Sequence, residues 1–182
     1  MELCGDGEMA ELVQRIGSSA DSASDLAEID RLLARFPEDP RLHFMRGSVL
    51  AGRQNHLEAH ASLSRAVELA PDFAIARYQL GFFELTSGEV DRALSTWGPL
   101  MRLPDDAYLR VFAESLTHLI RDEFEQALAG MRKGIALNRE NEPLNGDIRL
   151  LMAECEKLQD GGRNAGEEAS SATSVLLGQF RA

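Results

Sequence analysis

The chain repeats itself every 34 residues. Gly47 moved forward by that interval falls on Gly81, and Ala59 falls on Ala93 and then on Ala127. Leu63 meets Trp97 and Met131, and Phe44 meets Tyr78 and Phe112. Small residues recur with small ones and large apolar residues with large ones. Columns of this kind at one fixed period mark a stacked repeat, in which each unit buries its apolar face against its neighbours. Within each period the apolar residues recur at three- and four-residue intervals, the spacing of an amphipathic helix. The fold class is therefore all-α.

Taken in order, Met9, Leu12, Val13 and Ile16 predict a first helix, with residues 1–5 expected to be frayed. A Ser-rich break from Gly17 to Ser24 offers Asp21 and Ser24 as N-caps. Leu26, Ile29, Leu32, Leu33 and Phe36 predict a second helix, stopped by Pro37 and Pro40. This unit, 6–39, is in phase with the rest but degenerate, as terminal repeats usually are. The unit 40–73 predicts helices Arg41–Ala51 and His56–Leu69, ended by Pro71. The unit 74–107 predicts Ile75–Thr86, a turn at Ser87-Gly88, and Glu89–Arg102, closed by Pro104. The unit 108–141 predicts Tyr108–Ile120, a turn at Arg121-Asp122-Glu123, and Phe124–Leu137. A capping helix follows within 142–158, from about Pro143 to Leu158, with Ile148, Leu151, Met152 and Cys155 on one face. Residues 159–182 form a linker and a C-terminal tail, the linker rich in Gly and the tail carrying an apolar patch at Val175–Phe180.

Leu80-Gly81 and Gly88-Glu89, with Pro37 and Pro71 at unit ends, carry a resemblance to the tetratricopeptide repeat (TPR) family. His56, Val90 and Phe124 fall where that family usually starts its second helix with an aromatic residue. Arg46 stands where Leu is commoner, Ser115 replaces Gly, Pro104 arrives one residue early, and the fourth unit has Arg139 where a terminal Pro is usual. The resemblance covers 6–158 and implies a right-handed superhelical stack of antiparallel helix hairpins. It also implies a concave groove lined by the first helix of each hairpin. The groove positions correspond here to Phe44, then Ile75, Tyr78, Phe82 and Leu85, then Leu109, Phe112, Leu116 and Leu119. Arg41, Ser48 and Ala51 complete the set in the second unit. These residues do not suit the clamp by which some members hold a C-terminal carboxylate, which needs Lys, Asn and Arg. An apolar and aromatic groove suits a protein or peptide with apolar anchor residues, extended or helical. Left bare it is an aggregation hazard, so a partner, a second copy or the chain's own Val175–Phe180 is expected to cover it.

The competing functions are an adaptor or assembly factor and a secretion chaperone for a hydrophobic client; this chain is similar in size, charge and groove polarity to the small acidic TPR proteins that escort hydrophobic translocators in bacterial secretion systems. Nucleic acid is not an expected partner: 30 acidic against 19 basic residues give a net charge of −11, with no basic stripe. No membrane partner is expected either, the apolar runs being too short to span a bilayer. Met1 to Met9 holds no basic start and no apolar run, so no secretory leader is expected. Cys4 and Cys155, far apart in the chain, then read as reduced thiols of a cytoplasmic protein. No cofactor and no enzymatic activity are expected. His56 and His60 have metal-ligand spacing but lack a third ligand, and His56 fills the aromatic position of the repeat. His43 and His118 have no nucleophile arranged beside them. Cys155 reads as a small buried hydrophobe.

Overall fold

The computed structural model describes residues 3–18 and 22–162. Asp21 and Val175–Phe180, singled out above, lie outside the described residues. The helices are α1 (Asp6–Ser18), α2 (Ser22–Arg35), α3 (Pro40–Gly52), α4 (His56–Leu69), α5 (Ala74–Thr86), α6 (Val90–Trp97), α7 (Tyr108–Ile120), α8 (Phe124–Leu137) and α9 (Glu142–Gly162). A 3-10 turn, Gly98–Arg102, follows α6, and no strand occurs among the described residues. The odd-numbered helices start at intervals of 34 residues, and so do the even-numbered ones. The chain divides into two compact units, Met1–Phe83 and Glu84–Ala182.

The turns inside the hairpins α3–α4, α5–α6 and α7–α8 repeat at the same interval. Gln54, Gly88 and Asp122 all have positive φ, at 61°, 87° and 57°. At each site two backbone bonds close the helix end. Gln54 N–H donates to Ala51 and Asn55 N–H to Leu50; Gly88 and Glu89 donate likewise to Leu85 and Glu84, and Asp122 and Glu123 to Leu119 and His118. This is a Schellman-type end, which turns the chain back within three residues and satisfies carbonyls that the helix leaves open. The left-handed residue is glycine in one turn only, so the other two hairpins carry some backbone strain.

Close crossing of the paired helices explains the small columns. In the N-terminal unit a Cβ on Gly47 would stand 2.7 Å from Leu63 Cγ, so α3 and α4 meet there with no room for a side chain. In the C-terminal unit Ser115 of α7 abuts Gly130 of α8, and the Phe112 ring lies where a Cβ on Gly134 would be. Ala59, Ala93, Ala127, Leu63, Trp97 and Met131 are all buried.

Four features depart from the sequence-based expectation. The second helix of the third hairpin, expected over Glu89–Arg102, ends at Trp97. Pro99 has no N–H to give to the helix ladder and its ring collides with the preceding turn, so the backbone tightens into the 3-10 turn. Ser24 lies inside α2 and does not cap it. Helix α9 extends to Gly162, beyond the expected end at Leu158.

The fourth departure is at the N-terminus, expected to be frayed. Cys4 is buried in a core cluster with Leu12, Ile29, Leu32, Phe36 and Leu42. Its backbone is clasped from both sides: the N–H donates to Asp39 Oδ2 at 2.9 Å, and the C=O accepts from the Arg41 guanidinium at 2.6 Å. Asp39 is also the N-cap of α3, accepting from the Arg41 N–H at 2.9 Å, and its carboxylate is fully buried against the Arg41 side chain at 2.8 Å.

Two predictions follow from this packing. Gly134→Ala drives a methyl into the Phe112 ring, which is wholly buried, and should cost about 1–3 kcal/mol in urea unfolding. Gly146→Ala in α9, where a Cβ meets nothing within 4 Å, should be neutral or stabilising by up to about 1 kcal/mol. Equal losses at both sites would remove the close-crossing account.

The second concerns pH. Burial pushes the Asp39 carboxyl up, but the Arg41 side chain and the N–H groups of Cys4 and Arg41 outweigh it and hold it below the ordinary carboxylate range. A carboxyl lowered in the folded state stabilises above its unfolded pKa of about 3.9, and that contribution is lost as pH falls through the lower folded value. Asp39→Asn should therefore lower the melting temperature at pH 7, and the gap from wild type should close in acid. A gap that stays constant down to pH 2.5 would show that the carboxylate charge is not what holds the clasp.

Candidate functional site

A helix turns 100° per residue, so side chains three, four and seven apart share a face. On α5, Ile75, Tyr78, Phe82 and Leu85 make one such stripe; on α7, Leu109, Phe112, Leu116 and Leu119 make the equivalent one. On α3 the stripe reads Arg41, Phe44, Ser48 and Ala51.

The structure treats these residues unequally. In the N-terminal unit, Phe44, Ile75 and Phe82 are half-buried, and Tyr78 is buried. The Phe44 ring packs at 5.4 Å on Phe73, in the α4–α5 connection. In the C-terminal unit, Leu85, Leu109, Phe112, Leu116 and Leu119 are all buried, and four of them have no exposed surface. Phe112 is seated against Gly134 of α8, with the Tyr108 ring edge-on at 6.1 Å. Burial, then the Glu140 carboxylate, pushes the Tyr108 phenol up. The α7 stripe is packed within its unit, whereas Phe44, Ile75 and Phe82 each keep part of their surface in solvent.

Residues set aside as metal ligands do something else. His56 and His60 both lie beside the Phe83 ring, at centroid distances of 5.9 and 6.3 Å. Among the described residues no group of three His, Cys, Asp or Glu converges. A cavity of about 60 Å³ between α1 and α2 is lined by Glu8, Glu11, Leu12, Arg15, Glu28, Arg31 and Leu32, and its size suits water more than an organic ligand.

The departures from the repeat pattern have local explanations. Arg46, in place of Leu, ties three helices together: it donates to Asp30 of α2 at 2.8 Å and to Ser62 of α4 at 2.9 Å, and reaches Glu58 at 3.5 Å. Asn138 does the work of the missing proline after α8. Its amide donates to Asn145 Oδ1 and to the Asn141 carbonyl, its side-chain oxygen accepts from the Asn141 N–H, and Asn145 returns a bond to the Asn138 carbonyl. Asn141 then caps α9 by accepting from the Leu144 N–H. Glu84, buried near the end of α5, accepts from Thr96 at 2.6 Å with Arg92 beside it. None of these polar groups has a periodic signature in the sequence.

No protein-family model matches the sequence, and no curated protein matches it. A solved structure of MamA, the RS-1 ArsTM double mutant, has the same kind of fold. Its TM-score is 0.57, with 16% identity over 86% of this chain and 98% of that one. MamA is a TPR-containing protein. The chain is an all-α protein with a helical-repeat fold of the TPR type. No helix among the described residues is long and apolar enough to cross a membrane.

Both cysteines are free and buried. Burial lifts the Cys155 thiol to about 11. Burial, with Glu8 and Asp39 nearby and only Arg41 opposing, lifts Cys4 as well. Alkylation by iodoacetamide at pH 7.5 should be at least tenfold slower for both thiols in the folded chain than in urea. Rapid labelling of Cys155 in the folded chain would contradict its placement.

Proposed function

We propose that the protein is a protein–protein interaction module, an adaptor or assembly factor without enzymatic activity. It binds an apolar-anchored peptide or helix along the first helices of its hairpins. The observation that supports this reading is the half-burial of Phe44, Ile75 and Phe82. Large apolar side chains held partly in water on repeated helix faces are the usual anchors of a peptide-binding surface. A fold of this type implies protein partners. The other stripe positions, Tyr78 in the N-terminal unit and Leu85, Leu109, Phe112, Leu116 and Leu119 in the C-terminal unit, are buried within their helices' packing and belong to the proposed surface only as its expected positions. The solenoid of residues 6–158, divided at 39/40, 73/74, 107/108 and 141/142, is the frame that repeats it. The chain's own Val175–Phe180 is one candidate occupant, and a second copy is another.

Selection from a displayed library of peptides bearing two or three aliphatic or aromatic anchors tests the reading. Enriched peptides should lose at least tenfold in affinity on Phe44→Ala or Phe82→Ala, with the helical signal of each variant retained. Leu57→Ala, at a side chain 89% exposed on α4, should leave affinity unchanged. No enrichment, or equal binding by all three variants, would end the proposal. A client soluble only on co-expression would assign the same surface to a secretion chaperone.

A further inference from the structure

Helix α9 carries the repeated stripe one interval beyond α7, at Pro143, Gly146, Leu150 and Ala153. Its environment is reversed. Leu116 of α7 has no exposed surface, whereas Leu150, its counterpart, is 64% exposed. Pro143 and Ala153 are exposed too, and a Cβ on Gly146 would meet nothing within 4 Å. The opposite face of α9 is closed by Ile148, Leu151 and Cys155, so the helix is held in place while its stripe is bare.

The sequence continues for 20 residues past Gly162 and ends in Val175-Leu176-Leu177-Gly178-Gln179-Phe180-Arg181-Ala182. The run 175–180 has no charge, in a chain whose net charge is −11. Val175, Leu176, Leu177 and Phe180 supply its apolar side chains.

We propose that the stripe Pro143, Gly146, Leu150 and Ala153 is the seat of the chain's own segment 175–180, with Leu177 and Phe180 against Leu150 and the open space beside Gly146. The proposal rests on the reading of first-helix stripes as peptide-binding surfaces and names one occupant for one of them. Reach permits it. Leu150 lies about 18 Å back along the helix from Gly162, at 1.5 Å per residue. The 12 residues 163–174 span up to about 40 Å when extended. A tether of that length also holds the segment at roughly millimolar effective concentration, so a small apolar contact suffices to seat it and a second copy competes poorly.

The test uses the full chain carrying Leu150→Cys and Leu177→Cys, with both native thiols left in their buried positions. After mild air oxidation at pH 8, non-reducing electrophoresis and peptide mass mapping should find a 150–177 disulfide within single chains. Adding Phe180→Asp should slow its formation at least tenfold. A disulfide found only between two chains would overturn the proposal in favour of a second copy. Absence of the bond would overturn it, and so would an equal rate with Phe180→Asp, since the tether alone would then explain the encounter. Peptide selection on Phe44 and Phe82 is read independently, so failure of the seat and failure of the binding function are told apart.

Discussion

The hairpins α3–α4, α5–α6 and α7–α8 each depend on one residue in the left-handed region between their two helices. With Gln54, Gly88 or Asp122 at positive φ, the next helix begins within four residues of the last, antiparallel to it. A longer or looser connection would let the second helix slide. The close contacts of Gly47 with Leu63, Gly130 with Ser115 and Gly134 with Phe112 could not then be held in register. The turn sets the phase and the small residues exploit it. Propensity alone does not explain the choice, because only Gly88 enters that conformation without steric cost.

Much of this was legible because a repeat writes the same constraint several times. Helices α4, α7 and α8 have the bounds that the 34-residue columns predict, α3 is longer by one residue at each end, and α5 starts one residue earlier. The misses have a different physical character. The break at Pro99 is a local effect that the repeat phase masked: the column at Trp97 argued for a continuing helix, and proline chemistry won. The clasp of Cys4 by Asp39 and Arg41 joins residues 35 and 37 apart through a buried carboxylate. A single polar contact occurs once, so no period reveals it. The Asn138–Asn145 pair likewise replaces a proline that the pattern led one to look for.

The proposed binding surface was legible only in part, and the reason is geometric. Periodicity reports which side chains share a helix face; it does not report what lies over that face. Leu116 and Leu150 occupy the same column and have the same side chain, yet one is fully buried and the other is 64% exposed. The first helix of a hairpin packs on its own partner and on the preceding hairpin, so its apolar residues exceed those that a binding surface requires. Phe112 shows the ambiguity resolved toward packing, because α8 supplies Gly134 to receive its ring. Phe44 has Ala66 two intervals before that glycine, and remains half-buried.

That contrast bears on how such a chain can bind a partner without aggregating. The excess of 30 acidic over 19 basic residues gives a net charge of −11, which opposes the approach of like-charged copies at long range. Apolar contact must then be confined to a few positions where a specific occupant repays desolvation. Burial of Leu109, Phe112, Leu116 and Leu119 removes the α7 stripe from water, while Phe44, Ile75 and Phe82 stay half-buried and Leu150 on α9 stays exposed. On the proposed reading, a few accessible anchors favour selective capture over indiscriminate adhesion, because an occupant must match their spacing along a helix face.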